Sequence, residues 1–105
     1  MMQFEVRYWD DGAGKKSFEK WLDKLPPEHF RAVAKELAVL ELVGNNLKMP
    51  HSKSLGDGLF ELRERRYGYR IYYTFSGNKV IILLAAGDKK SQQNDIKIAR
   101  ARFSK

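Results

Sequence analysis

The sequence describes an α+β domain of the order β-α-α-β-β-β-α, with a helical hairpin on one face of an antiparallel sheet. Three features lead there. Apolar residues recur at helical spacing between Phe18 and Leu40, and at strand spacing between Leu59 and Ala86. Gly, Pro and Asn separate these blocks with short links. No repeat, linker or low-complexity segment interrupts the 105 residues, so residues 1–105 read as a single domain.

The elements follow in order. Phe4, Val6 and Tyr8 alternate with Glu5, Arg7 and Trp9, which predicts a strand over residues 3–9, and Asp10-Asp11-Gly12-Ala13-Gly14 breaks it. Phe18, Trp21, Leu22 and Leu25 fall at i, i+3, i+4 and i+7, the stripe of a short amphipathic helix that Pro26-Pro27 ends. Pro27 can also occupy the first turn of a second helix. There Phe30, Val33, Ala34, Leu37 and Leu40 mark one face, and Gly44-Asn45-Asn46 supplies the stop. Leu59 to Arg65, Tyr69 to Ser76 and Lys79 to Ala86 then read as three strands of a meander, turned at Gly68 and at Ser76-Gly77-Asn78. Val80-Ile81-Ile82-Leu83-Leu84 is apolar at every position, as in a central strand covered on both faces. After Gly87 the chain turns polar, and Ile96, Ala99 and Phe103 mark a last helix carrying Lys97, Arg100 and Arg102.

Charge is the most informative bulk property. The net charge is +7. Residues 1–50 carry eight Lys/Arg and eight Asp/Glu, whereas residues 51–105 carry twelve Lys/Arg and five Asp/Glu, so the second half supplies all of it. Such segregation points to a polyanionic partner. The longest apolar run, Val80 to Ala86, is far short of the roughly 20 residues that cross a bilayer, so no membrane partner is expected. The chain starts without a basic-then-apolar leader and contains no cysteine, which predicts a cytoplasmic location and excludes disulfides and thiol chemistry.

Strand alternation sorts the cations. Phe60 and Leu62 point to one face of their strand, while Glu61, Arg63 and Arg65 point to the other. In the next strand Tyr69, Ile71, Tyr73 and Phe75 share a face, and Arg70, Tyr72 and Thr74 share the opposite one. With the apolar faces against the helices, Arg63 and Arg70 emerge together on an uncovered sheet face. Loops bearing His51, Lys53, Lys89 and Lys90 rim that face, and Tyr72 on it is the candidate for stacking on a nucleobase. A solvated lattice in which Glu61 and Glu64 neutralise the arginines would use the same residues. Other chemistries lack support: His29 and His51 have no ligand spacing, and no phosphate-cradling glycine run is present.

Three segments in order carry a family resemblance. Gly58-Leu59-Phe60-Glu61-Leu62-Arg63, Tyr69-Arg70-Ile71-Tyr72-Tyr73 and the stretch from Leu83 through Gly87-Asp88-Lys89-Lys90-Ser91-Gln92-Gln93-Asn94-Asp95-Ile96 resemble the RelE/ParE toxin superfamily. The branch they look most like is the HigB-like addiction module killer proteins. The resemblance implies a toxin that cleaves mRNA, typically on the translating ribosome, without metal or cofactor. It also implies neutralisation by a co-encoded helix-turn-helix antitoxin. In such nucleases basic residues promote attack of the ribose 2′-hydroxyl on the adjacent phosphate. Arg70 matches the arginine after the aromatic of its strand, Arg63 a basic position of the preceding one, and Lys89 or Lys90 the basic residue after the last strand. These four are the expected catalytic residues, with Lys53, Arg65, Tyr72 and His51 expected to hold RNA. Two positions depart from the family pattern: Glu61 stands where a second lysine is usual, and the tyrosine near the start of the final helix has no counterpart. His51 or Glu61 is an alternative general base. A ParE-like inhibitor of DNA gyrase and a non-enzymatic nucleic-acid-binding module are the competing readings of the same fold and charge.

Overall fold

The computed structural model describes residues 3–10 and 17–104, so the turn residues Asp11, Gly12, Ala13 and Gly14 lie outside the described part. The elements are β1 (Glu5–Tyr8), α1 (Ser17–Asp23), α2 (Pro27–Val43), a short 3-10 turn (Gly44–Asn46), β2 (Ser52–Gly56), β3 (Leu59–Glu64), β4 (Tyr69–Ser76), β5 (Val80–Asp88) and α3 (Gln92–Phe103). The α+β class and the expected elements are present, with one addition. The loop expected around His51 and Lys53 contains β2, an edge strand that pairs antiparallel with β3.

The five strands run in the order β1-β5-β4-β3-β2. β2 to β5 form an antiparallel meander, but β1 pairs with β5 in parallel, so the sheet is mixed rather than wholly antiparallel. Because β1 and β2 occupy opposite edges, the chain between them must cross a face of the sheet. The α1–α2 hairpin makes that crossing. It buries Phe18, Leu22, Val33 and Leu40 against Leu62, Ile71, Tyr73, Ile81 and Leu83. Phe30, expected on the same stripe, lies at its margin and is exposed.

α2 ends where its sequence says it should. Gly44 adopts φ +58°, its N–H bonds to the Leu40 carbonyl, and the Phe4 ring occupies the space a β-carbon would need. The stop signal therefore also docks the chain entering β1.

The other face of the sheet is covered too. α3 lays Ala99, flanked by Ile96 and Ile98, on a second cluster formed by Leu59, Tyr72, Leu84 and Ala85. This accounts for the unbroken apolar run of β5, whose side chains enter both clusters. A bulge between Tyr72 and Tyr73 leaves Leu84 without a partner in β4. Leu84 and Ala85 consequently both face α3, while Leu83 and Ile81 keep their places under the hairpin. The face expected to be bare is therefore mostly occupied. Its end, beside the start of α3, leaves Arg63 and Arg70 partly in contact with water. Among the described residues no helix is long and apolar enough to cross a membrane.

Candidate nucleic-acid interface

The antiparallel register brings the end of β3, the start of β4 and the end of β5 together at one end of the sheet. Arg63 is the Cα partner of Arg70, and Arg70 is the partner of Gly87. The adjoining row aligns Lys53, Glu61, Tyr72 and Ala85 across the four antiparallel strands. Both rows face α3. Sequence alternation had placed Arg63, Arg70 and Glu61 on one face, and the register joins them.

At the centre is Glu61, whose residue is wholly inaccessible to solvent. One carboxylate oxygen, Oε1, accepts hydrogen bonds from Arg63 Nε at 3.0 Å and from Arg70 Nη1 at 3.0 Å. The other, Oε2, accepts from Gln92 Nε2 at 2.8 Å. Burial by itself would raise the carboxyl's pKa. The hydrogen bonds from Arg63 and Gln92 and the charges of Arg70 and Arg63 outweigh it and hold the group below the usual carboxylate range. Glu61 is thus held ionised, with both oxygens already accepting hydrogen bonds.

Each arginine spends part of its fork on this carboxylate and keeps the rest. The Arg63 and Arg70 side chains are 26% and 19% exposed. Arg63 engages Glu61 through Nε, and its two terminal nitrogens make no hydrogen bond among the described residues. Arg70 uses Nη1, and its Nε is buried without a hydrogen-bond partner among the described residues. Two guanidinium charges against one carboxylate leave a net positive charge with unspent donors, which is what an incoming phosphate oxygen would meet.

The segment Gly87–Ile96 shapes the rim. A β-carbon at Gly87 would collide with the Asp95 carboxylate and the Ser91 hydroxyl, so glycine gives these two side chains the room they occupy against β5. Asp88 Oδ1 accepts the backbone N–H of Lys90 at 2.9 Å and of Ser91 at 3.1 Å. Ser91 Oγ donates to the buried Asp95. The turn is therefore held tightly while Lys89 and Lys90 remain exposed, immediately beyond the row of Arg70 and Gly87. Lys53 is exposed one strand away, across from Glu61.

Three expected RNA contacts are placed elsewhere. Tyr72 is fully buried in the cluster beneath α3 and cannot stack on a base. Among the described residues its hydroxyl makes no hydrogen bond of good geometry, and burial with the nearby charges of Glu61 and Asp95 pushes the phenol's pKa up. The alternation that put Tyr72 opposite the hairpin was right, but α3 covers that position. His51 and Arg65 line a groove of about 520 Å³ between α2 and the β3–β4 turn, on the hairpin side of the sheet. There His51 Nδ1 lies 3.5 Å from Glu36 Oε1. Gln92 is the site residue that sequence reasoning passed over: it stood inside the Gly87–Ile96 motif, but only the fold reveals its hold on Glu61. Arg100 and Arg102 are likewise committed, donating to the carbonyls of Leu55 at 2.8 Å and Leu84 at 2.6 Å.

Comparison with known proteins agrees with this fold. The free double arginine-to-alanine mutant of the E. coli toxin RelE superposes with a TM-score of 0.61 at 17% identity, covering 91% of this chain and 97% of that one. The isolated E. coli RelE toxin gives 0.58 at 16% identity, with 90% and 96% covered. An uncharacterised protein of Haemophilus influenzae is 40% identical over 87 residues, spanning 80% of this chain and 83% of that protein. Residues 20–104 match the model of the family described as "Phage derived protein Gp49-like (DUF891)". The chain thus belongs to the phage-derived Gp49-like family, and its fold is that of the RelE toxin.

Proposed function

We propose that this protein is the toxin of a toxin–antitoxin pair and acts as a metal-independent endoribonuclease on mRNA, with the translating ribosome presenting the substrate. The observation that carries the reading is the pair Arg63 and Arg70, locked side by side on the single buried carboxylate of Glu61 with donors left over at the open end of the sheet. The RelE fold and the family membership support it. A helix-turn-helix antitoxin of the kind that accompanies HigB-like toxins is the proposed partner.

In this mechanism Arg63 and Arg70 grip the non-bridging oxygens of the scissile phosphate. The ribose 2′-oxygen attacks phosphorus, the bond to the 5′-oxygen breaks, and a 2′,3′-cyclic phosphate and a free 5′-hydroxyl result. Negative charge on the phosphorane rises in the transition state, so fixed guanidinium donors stabilise it more than the ground state. Glu61 and Gln92 do not touch the substrate. They hold the forks in place, so little reorganisation is needed when the charge develops. Lys89 and Lys90, on a turn stapled by Asp88 and Ser91, supply the groups that take the 2′-proton and return one to the leaving oxygen. Lys53 steadies the adjacent backbone.

Expression without an antitoxin is expected to arrest growth, and Arg70→Ala to relieve the arrest while the protein still folds. Removing one such charged donor lowers cleavage by about 10²–10³-fold. An Arg70→Ala protein that is folded, equally abundant and equally toxic would remove Arg70 from the site. Toxicity that instead tracks inhibition of DNA gyrase, with mRNA intact, would replace the nuclease reading with the gyrase one.

A further inference from the structure

We propose that the groove between α2 and the β3–β4 turn is a second RNA subsite, taking phosphates that flank the one gripped by Arg63 and Arg70; this rests on the RNA-cleaving function proposed above. The groove has a volume of about 520 Å³. Arg31 and Lys35, one turn apart on α2, form one wall, and Arg65 and Arg66 form the other. All four are exposed, and among the described residues none is paired with a carboxylate.

Three acidic residues, Glu28, Glu36 and Glu64, share the groove with these cations. Glu64 accepts the backbone N–H groups of Arg66 at 2.8 Å and Tyr67 at 2.9 Å, which fixes the turn carrying Arg65 and Arg66. Glu36 lies beside His51 at 3.5 Å. Four cations against these three carboxylates leave the groove net positive. Arg66 is further steadied over the Tyr67 ring, 5.2 Å from its centroid, and Tyr67 itself stacks on His29 at 3.7 Å. A concave surface with three guanidinium forks and one ammonium is complementary to phosphates spaced along a backbone.

Continuity with the first site favours RNA over an acidic protein segment. Arg63, Arg65 and Arg66 follow one another around the end of β3, with Arg63 on the α3 side and the other two on the hairpin side. A strand whose scissile phosphate sits on Arg63 and Arg70 meets cations on whichever side of the sheet end it continues. One of those continuations leads into the groove.

The test is binding of a 12-nucleotide single-stranded RNA carrying 2′-O-methyl groups throughout, which cannot be cleaved, measured across a salt series. Arg31→Gln/Lys35→Gln alters two exposed helix positions, and its thermal melt checks folding. The expected result is about tenfold weaker binding and a log–log salt slope shallower by about 1.4, the value for two single-strand phosphate contacts. Arg65→Gln/Arg66→Gln, on the opposite wall, should show the same loss. Affinity and slope unchanged in both folded variants would overturn the subsite while leaving the Arg63–Arg70 site standing. Wild-type protein that fails to bind the 12-mer would overturn the subsite, whereas the RNA-cleaving reading itself falls only if mRNA on translating ribosomes is left intact. A 12-residue polyglutamate that binds more tightly than the RNA, and loses more in the variants, would make the groove a site for an acidic protein segment instead.

Discussion

Making Arg63 and Arg70 Cα partners sets two like charges roughly 5 Å apart at their backbones, an arrangement that destabilises a sheet unless something offsets it. Glu61 offsets it from below, and in doing so becomes dependent on the arginines, since a wholly buried carboxylate without them would carry an unpaired charge. Glu61→Ala should therefore cost about 3 kcal/mol, at the low end for breaking a buried pair because both arginines keep some contact with water. Glu61→Gln keeps the shape and removes the charge. Since the folded-state pKa of Glu61 lies below its ordinary value of 4.5, its contribution is complete above that value and is lost as pH falls through the lower one. Wild-type stability should accordingly drop more steeply than that of Glu61→Gln below pH 4.5, as urea melts across the acid range would show; parallel acid limbs would contradict the ionised anchor. Tyr72 offers the opposite case. Its hydroxyl is buried and, among the described residues, makes no hydrogen bond of good geometry, so Tyr72→Phe should change stability by less than about 1 kcal/mol and leave cleavage intact. A tenfold or greater loss of cleavage in a folded Tyr72→Phe protein would return this residue to the reacting site.

The segment from Gly87 into α3 shows how one element positions the chemistry. It carried the most specific family resemblance, and most of its residues prove architectural: Gly87 makes room, Asp88 and Ser91 fasten the turn, Asp95 accepts the Ser91 hydroxyl, and Gln92 reaches Glu61. Gly87→Ala should force the first turn of α3 outward, at a cost of about 1–3 kcal/mol, and loosen the Gln92–Glu61 contact. Chemical denaturation reads the first effect and single-turnover cleavage the second; a Gly87→Ala protein unchanged in both would show that the close approach is dispensable. The same element explains what was legible in the sequence. α1, α2 and β3 to β5 announce themselves because their apolar residues repeat at one period over a full element. β2 does not, since Ser52, Lys53, Ser54 and Gly56 leave Leu55 as its only apolar residue, as befits an edge strand. α3 was visible as a helix, but its narrow stripe of Ile96, Ala99 and Ile98 among Lys97, Arg100 and Arg102 hid the fact that it covers the second face. That one omission misplaced Tyr72. The alternation that joined Arg63 to Arg70 needed only the strand period, whereas Gln92 acts across 31 positions of sequence, which no local pattern encodes.

For the molecule as a whole, the surplus charge lies in residues 51–105, and the fold divides it three ways. Arg100 and Arg102 tie α3 to the sheet. Arg63 and Arg70, with Lys53, Lys89 and Lys90 nearby, make an electropositive end on the α3 side, and Arg65 and Arg66 join cations of α2 on the hairpin side. A +7 protein so arranged should be steered to a polyanion by long-range attraction, and its association should weaken as salt is raised. The charge total alone would suit a passive binder equally well. What separates a nuclease from a binder is the fixed pair of arginines with donors to spare beside exposed lysines. The decisive measurement is therefore chemical. Purified wild-type protein and Arg70→Ala are each incubated with ribosomes translating an end-labelled mRNA, and both the cut sites and the new termini are analysed. The account predicts discrete cuts ending in 2′,3′-cyclic phosphate and 5′-hydroxyl groups with the wild type, reduced at least about 100-fold with Arg70→Ala. Intact mRNA with folded wild-type protein, or equal cutting by both proteins, would contradict it.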